Sequence, residues 1–236
     1  MPNHDASVRA ECEPGSELAA LRSEIDRIDD ALLDLVEQRL ALTDRIAAQK
    51  QDGSILRLRP RREADVLARL EGRAAQLPSN TVDAIWRELM GLSVQAQQRI
   101  AIALYAPAQP IKVTNLVRQR FGSAAPILIG ESPTETLDRA RASDTIAIVE
   151  LQPLSTWWIA LCDDPALRIF DGLGDPGGRI AALAIGRIAP DSLLDDIAFP
   201  ILTNSALQSR LDDGEPIRTL AAGGAMRLCL TEGGAK

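Results

Sequence analysis

Apolar residues fall at a 3-4 spacing along the first third of the chain. Leu18, Leu21, Ile25, Ile28, Leu32 and Leu35 keep the rhythm, and Leu42 and Ile46 resume it after Arg39. That heptad-like stripe predicts one long helix from a Ser16 cap to about Lys50, ending near Asp52-Gly53. A helix of about 35 residues is roughly 50 Å long. It needs an equally long partner, and a second copy of itself is the simplest. A short helix follows over Arg61–Glu71, with Val66, Leu67 and Leu70 on its apolar side. LPSN (77–80) punctuates, and a third helix is expected from Thr81 to Leu104.

The pattern changes after YAPAQP (105–110), whose prolines stop a helix. Short β-rich runs are expected at Pro126–Ile129, Thr145–Leu151, Leu167–Phe170, Ile180–Ile188, Phe199–Leu202 and Met226–Leu230. Helical patterns are expected at Val113–Phe121, Glu135–Ala142, Leu154–Leu161, Ser192–Ile197 and Ala206–Leu211. The alternation argues for an α/β layer domain with a partly parallel sheet. The expected organisation is a tail at 1–16, a helical domain at 17–105, a linker at 106–110 and an α/β domain at 111–236.

Composition narrows the chemistry. The chain has 236 residues, 46% apolar and 25% charged, a globular composition. A net charge of −7 argues against a general nucleic-acid or anionic-membrane binder. No apolar run is long enough to span a bilayer, and the polar N-terminus lacks a signal-peptide core, so a cytoplasmic protein is expected. Cys12, Cys162 and Cys229 lack metal spacing and read as reduced thiols. The one histidine, His4, lies in the polar tail. Histidine triads, histidine zinc sites and imidazole acid/base catalysis are thereby removed. Carboxylates, amides, hydroxyls, Lys and Arg are left.

The informative residues are polar ones on apolar stripes. Arg39 replaces a heptad leucine, and Lys50 lies eleven residues on, about three turns along nearly the same face. Ser93 and Gln97 stand at i, i+4 on the stripe of the third helix. Arg62 and Glu63 close and follow the run RLRPRR (57–62). Each alone reads as a snorkelling cation, an internal ion pair or an inter-helix hydrogen bond. Together they describe a small pocket for a polyanionic ligand.

These residues resemble the all-helical class of chorismate mutase. The stretches that carry the resemblance are LRSEIDRIDDALLDLVEQRLALTDRIAAQK (21–50), RREADVLARL (61–70) and ELMGLSVQAQQ (88–98), within residues 17–104. The resemblance implies three helices in an intertwined homodimer that converts chorismate to prephenate without cofactor or metal. It implies that Arg39 and Arg62, with Arg22 of the other chain, bind the two carboxylates. Arg22 precedes Arg39 by seventeen residues, a rotation of about 260°, so one chain cannot aim both at one pocket. Lys50 and Gln97 would donate to the ether oxygen, Glu63 would accept the ring hydroxyl, and Ser93 would line the carboxylate end. One position departs: Arg59 stands where the family usually has an aspartate, and it could alter the pocket's charge or face solvent.

The second half faintly resembles prephenate dehydratase at DTIAIVEL (144–151) and GRIAALAIGR (178–187). That family's E-N-S and T-R-F motifs are missing, and Ala181-Ala182-Leu183 stands where T-R-F would. The expectation is a degenerate accessory domain of that kind without dehydratase activity. Trp157-Trp158 reads either as a partner surface or as core. LGDPGG (173–178) and AAGGA (221–225) read as turns. Three other readings stay open: a mutase-like dimer that has lost catalysis and senses chorismate or a related dicarboxylate, a mutase regulated through its C-terminal domain, and a structural coiled-coil dimer.

Overall fold

The computed structural model describes residues 14–48, 55–142, 144–175 and 177–233. The chain divides into two compact units, Met1–Leu42 and Thr43–Lys236. Helix α1, Pro14–Ala48, supplies the described part of the first. Its stripe residues are exposed: Leu21 by 57%, Ile25 by 57% and Leu35 by 60%. Lys50 lies outside the described residues.

The second unit holds α2 (Pro60–Glu71) and α3 (Ser79–Gln97), then β1 (Ala101–Tyr105), α4 (Pro110–Phe121), β2 (Ile127–Ile129), α5 (Pro133–Ala140) and β3 (Thr145–Glu150). A 3₁₀ segment (Trp157–Asp163), β4 (Arg168–Gly174) and β5 (Ile180–Gly186) follow. A short 3₁₀ turn (Pro190–Ser192), β6 (Ile197–Ala198), β7 (Ile201–Thr203), α6 (Asn204–Asp212), β8 (Ile217–Gly223) and β9 (Met226–Glu232) complete it.

One sheet has five strands in the order β2-β1-β3-β5-β4. The β1–β2 and β1–β3 pairs are parallel; the β3–β5 and β4–β5 pairs are antiparallel. In the second sheet β9 pairs with β6, β7 and β8, all antiparallel. Alternation of side chains across the first sheet divides its core in two. Ile102, Leu104, Ile146 and Ile148 pack on one face with Val113, Val117 and Phe121 of α4, Val94 of α3, and Leu56 and Leu58. Ala147, Val149, Leu183 and Ile185 pack on the other with Leu137 of α5, Trp158 and Leu228 of the second sheet. Trp158 is fully buried and its indole donates to the Ser155 carbonyl, so it is core. Each glycine-rich run starts as a strand end, Leu173 and Gly174 in β4 and residues 221–223 in β8, and the strand that follows, β5 or β9, is its antiparallel partner.

The third helix does not reach Leu104. It stops at Gln97, Gln98 turns extended, and residues 101–105 become β1. Local propensity loses to pairing here: β1 lies between β2 and β3, and Ile102, Ala103 and Leu104 are buried. Residues 101–105, expected to close the helical domain, are thus a strand of the sheet. Leu56, Leu58, Val94 and Ile100 share a core with the α/β layers, and residues 106–109 join β1 to α4 within one unit. Ser192–Ile197, expected as helix, is the end of a 3₁₀ turn and the start of an edge strand. Leu154–Leu161 gives way to the 3₁₀ segment, and β8 was not expected.

Candidate active site

Arg22 and Arg39 belong to the first unit. Arg22 is exposed on α1. Arg39 is half-buried, and loss of water lowers its guanidinium pKa from the ordinary value. The remaining described site residues belong to the second unit, at the start of α2 and the end of α3.

Pro60 opens α2 at its first position, where its fixed φ suits a helix and its missing N–H costs nothing. The turn it begins carries Arg61, Arg62 and Glu63. Arg62 is exposed and forms no ion pair among the described residues. Its neighbours are tied to the α/β layers. Arg59 donates to the Ser192 hydroxyl and stands 3.6 Å from Asp191. Arg61 donates to the Leu193 carbonyl at 3.2 Å and pairs with Asp195. Glu63 Oε2 accepts from Arg120 Nη1 of α4 at 2.7 Å, while Arg120 Nε donates to Asp171 of β4 at 2.5 Å. The Arg120 guanidinium also lies 4.9 Å from the centre of the Phe121 ring. Burial by itself would lower the Arg120 pKa, but Glu63 and Asp171 overcome it and raise the pKa overall.

On α3, Ser93 is buried and donates to the Leu89 carbonyl at 2.7 Å. Gln97 is half-buried and donates to the Ser93 carbonyl at 3.2 Å. Gln98 ties α3 to the strand-like entry before α2, accepting from the Arg57 N–H at 2.8 Å. Glu63 thus faces Arg120 and Asp171. It lines a cleft of about 290 Å³ with Arg87, Arg120, Asp171 and Leu173. Of the sequence-predicted site residues only Glu63 lines that cleft; Arg59 is turned to Ser192, Arg62 is exposed, and Ser93 and Gln97 line it no more than they do.

Arg120 and Asp171 were missed in the sequence. Arg120 had a usable signal, the same one that marked Arg39: it stands three residues after Val117 and four after Leu116, on the edge of an apolar stripe. Asp171 had none. Among the described residues no group of His, Cys, Asp and Glu side chains is placed to hold a metal ion. No described helix is long and apolar enough to cross a membrane.

Residues 21–98 match the family described as chorismate mutase type II. Over 77 residues the chain is 38% identical to a T-protein from Enterobacter agglomerans, a match covering 32% of this chain and 21% of that relative. The chain therefore spans about a fifth of that relative's length. No solved structure matches.

Proposed function

We propose that the protein is a cytoplasmic, homodimeric chorismate mutase that rearranges chorismate to prephenate in aromatic amino-acid biosynthesis. The observation that carries this reading is the chorismate mutase type II match over 21–98, which spans Arg22, Arg39, Lys50, Arg62, Glu63, Ser93 and Gln97. The reaction is pericyclic and occurs within one molecule. It asks the protein to hold a compact diaxial conformer and to stabilise charge developing on the ether oxygen. Arg39 and Arg62, with Arg22 of the partner chain, hold the two carboxylates by planar, permanently charged forks. Lys50 and Gln97 donate to the ether oxygen, Glu63 accepts the ring hydroxyl, and Ser93 lines the carboxylate end. Arg59, bound to Ser192 and beside Asp191, anchors the loop. The exposed stripe of α1 supports the dimer.

The test follows the loss of chorismate absorbance with the purified chain. Lys50→Ala should raise the barrier by about 3–4 kcal/mol, the loss of a donor aimed at developing charge. Near-wild-type turnover in that variant would refute the role. A second reading, an inactive sensor of chorismate, is favoured by one observation: Arg59, where the family usually has an aspartate, is turned to Ser192 and Asp191. A chain that binds a bicyclic transition-state mimic without consuming chorismate would establish it instead.

A further inference from the structure

We infer that Arg120, supplied by the α/β layers, is a positioning residue for Glu63: it fixes one carboxylate oxygen and leaves the other to receive the substrate hydroxyl. The inference rests on the mutase reading and extends it to residues outside the matched segment 21–98.

The geometry has three parts. First, the ion pair is sheltered, with Arg120 and Glu63 side chains 13% and 11% exposed. A charge pair shielded from water is less screened than a surface one. Second, Arg120 is itself immobilised. Its Nε is held by Asp171, whose other oxygen accepts from the Gly172 N–H at 2.8 Å. The ring of Phe121 flanks the guanidinium and packs edge-on against Phe170. A fork held at Nε and along its face presents Nη1 in one direction. Third, Glu63 uses only Oε2. Oε1 accepts no hydrogen bond among the described residues, yet no fully buried side-chain oxygen or nitrogen there lacks a partner. Oε1 is therefore open to solvent. A carboxylate pinned by one oxygen, with the other open, is a prepared acceptor.

The first turn of α2 is fixed in the same way. Arg59 and Arg61 bind the 191–195 loop, so the helix that carries Glu63 is tied to the α/β layers at both of these arginines and at Glu63 itself. The layers thereby do more than add bulk: they set where one acceptor of the site stands.

The experiment is a double-mutant cycle on the full chain, reading kcat and KM separately. Glu63→Gln, Arg120→Gln and the double variant are compared, with circular dichroism and melting temperature recorded for each. Arg120→Gln should lower kcat about tenfold, the loss expected of one hydrogen bond to a charged group, with KM little changed. It should add nothing once Glu63 is already Gln, and Arg120→Lys should recover part of the rate. Equal losses in both backgrounds would show that Arg120 acts on stability and not through Glu63. If Arg120→Gln does not fold, Asp171→Asn carries the same cycle, since it loosens the fork while leaving Arg120 and Glu63 in place. Its loss must likewise vanish in the Glu63→Gln background, and a loss that persists there overturns the inference. A wild-type chain that neither turns over chorismate nor binds the mimic overturns the functional reading and this role with it. An active wild type with an unaffected Arg120→Gln overturns the positioning role alone.

Discussion

The apolar residues of α1 and those of the central sheet are chemically alike and end in opposite states. Leu21, Ile28 and Leu32 are 57%, 48% and 54% exposed, whereas Ile102, Ile146 and Leu183 are fully buried. The sheet finds its partners inside the chain, because β1 is flanked on both sides and covered on both faces. The α1 stripe has the same appetite and a length that one small unit does not match. Burying a leucine side chain is worth about 1.5–3 kcal/mol, so a row of exposed leucines and isoleucines at 3-4 spacing leaves a large gain unrealised, and the proposed dimer would realise it. The outward side of α3 repeats the lesson on a smaller scale: Ile85 and Leu92 are 44% and 41% exposed. The matched segment is thus split in its needs. α1 leaves its apolar stripe exposed, while α2 and α3 are built into the α/β unit.

That split is broken most severely by cutting the chain after residue 106. Val94, Ile100, Ile102 and Leu104 would lose the sheet and helix they pack against. At about 1.5–3 kcal/mol each, these losses rival the whole 5–15 kcal/mol stability of an ordinary domain. The truncated chain should show α1 helicity without cooperative unfolding of 55–106, and no mutase activity. A folded fragment as active as the full chain would mean that the second half is an appendage after all.

Leu32→Asp probes the other side of the comparison. In a paired helix the substitution appears twice and sets two carboxylates in an apolar seam. The lost burial alone is about 3–6 kcal/mol per dimer. Sedimentation should show a monomer, with activity lost because Arg22 no longer reaches its neighbour. The second unit should melt as before. A dimeric, active Leu32→Asp chain would place the contact elsewhere.

What could be read from the sequence follows the same division. The α1 stripe, α2, α4, β3 and β5 were legible because each is a local periodicity held over several residues. The end of α3 was not. Alternating Ile and Ala at 100–103 suits a helix end or a buried strand, and only strands 25 and more residues away decide between them. The site divides likewise. Arg39, Arg62 and Glu63 stand out as charges beside apolar positions, but the guanidinium that holds Glu63 comes from residue 120 and its anchor from residue 171. The apolar stripe of α4 marks Arg120, but tertiary packing alone joins it to Glu63 and Asp171, and no spacing records that triad.

The smallest expected effects concern how closely the matched segment and the α/β layers approach one another. Gly91 lies on α3 where a Cβ would come within 2.4 Å of the Phe121 carbonyl oxygen, at the end of α4. Two terms oppose each other in Gly91→Ala. Helix propensity favours alanine by about 1 kcal/mol, while overpacking costs about 1–3 kcal/mol. The atom in the way is backbone and cannot turn aside, so the clash should win by about 1 kcal/mol, lowering the melting temperature. Gly72, which follows α2, is the control. Its φ of −64° suits alanine, and an added Cβ meets nothing nearer than 3.4 Å. Gly72→Ala should therefore stabilise the chain by about 0.4–1 kcal/mol through the unfolded state. Opposite shifts in the two variants would confirm that α3 rests directly on α4, because propensity alone would raise both melting temperatures together.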